Sequence, residues 1–162
     1  MAVKSKPVVS LTMPSDRELV ITAVLDAPRQ LVFEASTNPA HVRHWWGPRR
    51  TTMTSCEIDL RPGGRWRYVL RDTETGREDG WSGVYREIVA PERVVYTEGW
   101  EGMPGHEYLV TATLTEQDGK TTLTSHLLYQ SVADRDGHVN SGMEPGMRET
   151  YDRFGEYLAS RA

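Results

Sequence analysis

At 162 residues, 38% apolar and 26% charged, the chain is long enough for one cored domain and too apolar for a disordered one. Its net charge of −4 argues against a general nucleic-acid binder, which carries a basic excess. The single cysteine, Cys56, excludes an internal disulfide framework and a cysteine-rich zinc module. It reads as a small strand residue packed like any hydrophobe.

Residues 1–15 hold two prolines and little periodicity, and read as a loose lead-in to a single domain over residues 16–162. The opening MAVKSKPVVSLTMPSDR lacks the apolar core of a secretory signal, and no run approaches a membrane span. We therefore expect a cytoplasmic protein with no membrane insertion. From Glu18, ELVITAVLDA is β-branched and apolar and predicts a first strand ending near Asp26. APRQLVFEAST then takes helical spacing, with Asp26 as N-cap, Pro28 in the first turn, and Leu31, Val32 and Ala35 on one face. Asn38-Pro39 repeats that start signal, a capping side chain before a proline at the first helical position. The second helix is short and stops at Gly47-Pro48.

Its last turn carries HVRHWWGPRR, residues 41–50, which concentrates several chemistries. His41 and His44 could share a helix side. A zinc site takes three or four ligands, and the nearest further candidates, Cys56 and Glu57, have no metal-like spacing, so no metal and no cofactor are expected. Arg43, Arg49 and Arg50 beside Trp45 and Trp46 offer charge and stacking, but three arginines in an acidic chain make too small a patch for nucleic acid. Packing explains the stretch better. Neighbouring helical residues point about 100° apart, so one tryptophan anchors the helix and the other stands at a cavity entrance. Trp46 is carried as the cavity candidate, although spacing alone does not choose between the two.

Residues 51–130 read as successive antiparallel strands. TTMTSCEIDL runs into a corner at Arg61-Pro62-Gly63-Gly64, whose glycines allow a positive φ. RWRYVLRD places Trp66, Tyr68 and Leu70 on one face, and WSGVYREIV and RVVYTEGW follow, with a bulge near Glu87-Ile88. In EYLVTATLTE, Tyr108, Val110, Ala112 and Leu114 alternate with polar or outward residues, and Asp118-Gly119 makes the hairpin turn into KTTLTSHLLYQ. His126 falls on the outer face. DRDGHVNSG, residues 134–142, lacks the acidic positions of a calcium loop and reads as a flexible entry able to gate a cavity. Met147, Tyr151, Phe154 and Leu158 then recur at helical spacing for three to four turns.

Strand, two short helices, six strands and one long helix predict an α+β domain in which the helix buries its stripe against a curved antiparallel sheet. A ligand pocket would form between them. Candidate lining residues are Trp46, Trp66, Tyr68, Trp81, Tyr85, Tyr96 and Tyr108 from the sheet side, with Met143, Met147, Tyr151 and Phe154 from the helix. Glu98 and His106 are the candidate polar handles. No nucleophile, base and orienting residue fall into a recognisable spacing, so no catalytic residue is assigned.

The strings FEASTNPAHVRHWWGP, DLRPGGRWRY, GVYREIVAPERVVYTE, LTEQDGKTTLTSH and GMRETYDRFGEYLA resemble the activator of heat-shock-protein-ninety ATPase homologue family. That family belongs to the START-like, helix-grip superfamily, also called SRPBCC or birch-pollen-allergen-like. The resemblance covers roughly residues 17–160 and implies a sheet of about six to seven strands wrapped around the carboxy-terminal helix. It also implies three functions: non-catalytic binding of a lipid-, polyketide- or flavonoid-like molecule, a cyclase or hydrolase using the same cavity, or a co-chaperone contact that stimulates a chaperone ATPase. Co-chaperone members pair such a domain with a separate amino-terminal one. A first strand near residue 18 leaves no room for it, which favours a stand-alone ligand binder, monomeric or homodimeric.

Overall fold

Period-two patterning decides which side of each strand turns inward, and the computed structural model, which describes residues 6–161, follows it closely. Strands β1 (Val8–Thr12) and β2 (Glu18–Leu25) come first, then helices α1 (Arg29–Thr37) and α2 (Pro39–Val42). Six strands follow: β3 (Thr51–Ile58), β4 (Arg65–Asp72), β5 (Glu78–Val89), β6 (Arg93–Trp100), β7 (Tyr108–Gln117) and β8 (Lys120–Leu128). Helices α3 (Val132–Asn140) and α4 (Met143–Ser160) close the chain. All eight strands form one antiparallel sheet in the order β1-β2-β8-β7-β6-β5-β4-β3.

In β2, Leu19, Ile21, Ala23 and Leu25 are buried and the residues between them are not. The same alternation buries Tyr108, Val110, Ala112 and Leu114 of β7, and β4 buries Trp66, Tyr68 and Leu70 together with Val69. Facing them, Phe154 and Leu158 of α4, four residues apart on one helix side, are fully buried. The fold is the α+β helix-grip arrangement expected, with the stripe of α4 pressed to the sheet.

Several local signals act as their chemistry demands. The Asn38 side chain accepts a hydrogen bond from the Ala40 amide at 3.0 Å, with Pro39 as the first helical residue of α2. Asp118 and Gly119 both take positive φ, 53° and 77°, as a two-residue hairpin of the mirror-image type requires. Gly63 likewise has φ 84°. The register of β5 against β6 slips between Tyr85 and Glu87, next to the expected bulge.

Four expectations need correction. The sheet has eight strands rather than six to seven, because Val8–Thr12 pairs with Val24–Val20 inside the expected lead-in. An edge strand needs only backbone partners on one side, and none of its five residues is fully buried, so it leaves little hydrophobic pattern. The segment expected as a flexible entry loop is largely helical: α3 begins where the Ser131 hydroxyl accepts from the Asp134 amide at 3.1 Å. No α3 residue is fully buried, which is why its period is faint. Asp26 is not the cap of α1; Pro28 holds that place with ψ 152° and makes no side-chain cap. Finally, α4 runs 18 residues, about five turns, rather than three to four.

Candidate functional site

The tight turn after α2 sends its two tryptophans in different directions. Trp45 is buried, stacks on Phe154 with ring centroids 3.7 Å apart, and donates from Nε1 to the Ala35 carbonyl at 2.9 Å. Trp46 is less covered and meets Tyr68 and Trp81 edge-on, at 4.9 and 5.5 Å. Gly47 makes the turn possible: its φ is 106°, and a Cβ there would stand 2.7 Å from a Leu70 methyl. Trp45 thus fastens α2 to α4, and Trp46 faces the space between helix and sheet.

That space is a cavity of about 450 Å³. Trp46, Trp66, Tyr68, Trp81, Tyr85, Tyr96 and Tyr108 line it from one side, and Met143, Met147 and Tyr151 from α4, with Glu98 and His138 among them. Trp45 also borders it. The cavity's aromatic rings meet one another in edge-to-face or tilted contact, as Trp66 with Tyr68 and Tyr96 at 4.7 and 5.9 Å. Trp66 is fixed by a 3.1 Å bond from Nε1 to the Thr97 carbonyl. Gly83 leaves room for that bond, since a Cβ would fall 2.7 Å from Nε1. On the β3–β5 side the lining turns charged, where Arg50 pairs with Asp72 at 3.1 Å and Arg77 with Asp79 at 3.3 Å.

The opposite, β6–β7 side holds the buried polar groups. Tyr108 donates its hydroxyl to Glu98 Oε2. Burial raises the Glu98 pKa, and the Tyr108 hydrogen bond opposes the rise. Glu98 keeps part of its surface open, and that surface belongs to the cavity lining rather than to the outer sheet face. His138 of α3 lies over Tyr108, ring centroids 5.3 Å apart, and its Nδ1 shares a 2.5 Å hydrogen bond with the Tyr129 hydroxyl. Burial lowers the His138 pKa, so its ring is neutral at pH 7. Burial also lifts the phenols of Tyr68, Tyr96 and Tyr108 well above their ordinary value, so each keeps its proton as a donor.

Ten of the eleven candidate lining residues therefore converge on one space, together with Glu98. Phe154 does not line it; it is fully buried under Trp45. His106 is also elsewhere, on the exposed β6–β7 loop with Nδ1 2.8 Å from Asp134. His138 gives no periodic signal of its own in the sequence, because its segment carries no strong helical stripe. Its one usable signal is position, five residues before Met143 of the Met143–Met147 pair that also faces the cavity. His41 and His44 both pack against Tyr157, at 5.8 and 5.6 Å, rather than converging on a third ligand. Arg49 pairs with Glu156 and Arg50 with Asp72, and the tryptophans beside them face inward. Cys56 is half-buried, and burial pushes its thiol pKa up, which fits packing. His126 is paired with Glu18 across the β2–β8 ladder.

The family model described as Activator of Hsp90 ATPase homolog 1-like protein matches residues 26–159. The chain belongs to this family. Among solved structures similar to this chain, a Rhodobacter sphaeroides protein is 28% identical with a TM-score of 0.87, over 94% of this chain and 99% of that one. The AHSA1 protein of Silicibacter pomeroyi is 20% identical, with a TM-score of 0.73 over 90% of this chain and 99% of that one. DynU16, from the dynemicin biosynthetic locus, is 22% identical, with a TM-score of 0.69 over 91% of this chain and 49% of that one. The last two show a shared fold alone. No curated protein matches the chain. Among the described residues no helix is long and apolar enough to cross a membrane.

Proposed function

We propose that the protein binds a small hydrophobic or aromatic molecule between its sheet and α4. The observation that carries this reading is the cavity of about 450 Å³, within the size range of small-molecule sites and walled by aromatic rings and two methionines. A well-packed interior holds few voids larger than a water molecule, so a space of this size is a feature to be explained by an occupant. Met143 and Met147 suit the purpose, because their unbranched thioethers adapt to different shapes.

The test is native mass spectrometry with a thermal-shift screen against lipids, flavonoids and aromatic polyketides. A ligand that stays bound, raises Tm and is lost in Met147→Trp supports the reading. If nothing in the panel shifts Tm, and Met147→Trp changes neither mass spectrum nor melting, the reading fails.

A second reading, catalysis on the bound molecule, is favoured by one feature: Glu98 is a titratable carboxyl at the cavity wall beside a phenol donor. Acid–base turnover there would transform a retained ligand, and Glu98→Gln would abolish product formation while leaving the ligand bound. Retention of every ligand unchanged over long incubation removes this second reading.

A further inference from the structure

The two sides of the cavity differ in the charge they can hold. Toward β3–β5, the lining arginines Arg50 and Arg77 are already paired with aspartates, at 3.1 and 3.3 Å. Toward β6–β7 stands Glu98, whose one hydrogen bond among the described residues occupies Oε2. Its Oε1 is left for an occupant. No arginine or lysine of the lining lies on this side, and His138 is held neutral by burial.

An anion brought here would leave water, meet a carboxyl group and find no cation, which is among the costliest ways to bury a charge. A neutral hydroxyl fares differently. It donates to Oε1 when Glu98 is ionised and accepts from the Oε1 proton when Glu98 is neutral, and in either state it satisfies an oxygen that a purely apolar occupant would leave unpaired. The rings around it, Tyr96, Tyr108 and Trp66, supply flat apolar contact for the rest of the molecule.

Resting on the cavity-binding reading above, we propose that the occupant is an aromatic or polycyclic molecule bearing an uncharged phenol or enol that hydrogen-bonds with Glu98 Oε1, and that the carboxylate of matching shape is rejected. The cavity is then a selector of head group and not a general sink for apolar molecules. Fatty-acid-like ligands fall on the rejected side.

The experiment compares 2-naphthol with 2-naphthoate at neutral pH, where the first is uncharged and the second ionised. Both are titrated calorimetrically against the full chain, with displacement of the neutral dye Nile red as a second readout. Naphthol binding at least about tenfold tighter than naphthoate, ~1.4 kcal/mol, is the expected result. In Glu98→Gln, which keeps the shape and adds an N–H donor, naphthoate gains affinity and the preference collapses toward unity. Equal affinities in the wild-type chain overturn the head-group inference and leave the cavity reading standing, provided Nile red is displaced. If neither compound nor the dye binds, both fall together.

Discussion

The two halves of α4 do different work with the same helical stripe. In the carboxy-terminal half, Phe154 and Leu158 are 0% and 2% exposed, and Phe154 lies flat against Trp45. In the amino-terminal half, Met143, Met147 and Tyr151 occupy the corresponding positions, yet all three keep surface open toward the cavity. Both halves are apolar at the same spacing. The difference is what faces them: the turn after α2 sends Trp45 down onto Phe154, whereas among the described residues the space beneath Met147 is left open as cavity. One end of the helix is a fastening, and the other is the roof of a hollow.

Truncation should separate the halves most sharply. Phe154→Ala is expected to cost ~3–5 kcal/mol of unfolding free energy, because it removes a fully buried ring and strands Trp45. Urea titration would measure it; a loss under about 1 kcal/mol would mean that the fastening lies elsewhere. Enlarging the other half should do the opposite. Met147→Trp grows into existing space, so it should cost less than the ~1–3 kcal/mol of overpacking a filled core while abolishing ligand uptake. A loss as large as that of Phe154→Ala would erase the distinction between the halves.

Loosening α3, the short helix that flanks the hollow end, should have a smaller effect. Ser131→Ala deletes its N-cap and is expected to cost about 1 kcal/mol, with faster amide exchange confined to α3. Exchange that rises equally around Phe154 would show that the two ends are not independent.

The smallest effect is a dependence on pH. Burial raises the Glu98 pKa, so the folded chain binds this proton more tightly than the unfolded one. Its stabilisation is complete below the ordinary glutamate value and is lost as pH rises through the folded value. His138 runs the other way: burial lowers its pKa, so its contribution is intact above the ordinary histidine value and is lost as pH falls. Subtracting the stability of Glu98→Gln from that of wild type isolates the first effect, and the difference should decline with rising pH. A flat difference would mean that Glu98 titrates as if in water.

The fastening was far more legible in the sequence than the hollow. Phe154 and Leu158 announce themselves by helical spacing, and Tyr108 through Leu114 by alternation, because burial on one side leaves a periodic trace. The aromatic candidates were also legible, since a strand that places Trp66 inward must place Tyr68 inward too. What spacing could not supply is whether inward residues touch one another or surround a space. Phe154 and Met147 belong to one stripe, and only tertiary packing divides them. Strand β1 and helix α3 escaped for a related reason: neither buries a residue completely, so neither leaves a strong pattern. His106 lies on a loop, where no face can be read, and His138 sits on a helix whose weak stripe reads as a loop.

The placement of the indoles has a practical consequence. Of the five tryptophans, Trp45, Trp46, Trp66 and Trp81 border the cavity, and Trp100, the last residue of β6, does not. Indole emission responds to the polarity and contacts of its immediate surroundings, so the protein carries its own optical gauge of occupancy. Filling the space should change the emission of the unlabelled chain, and Trp46→Phe, which removes one of the two partly open indoles, should mute that signal before it alters the fold.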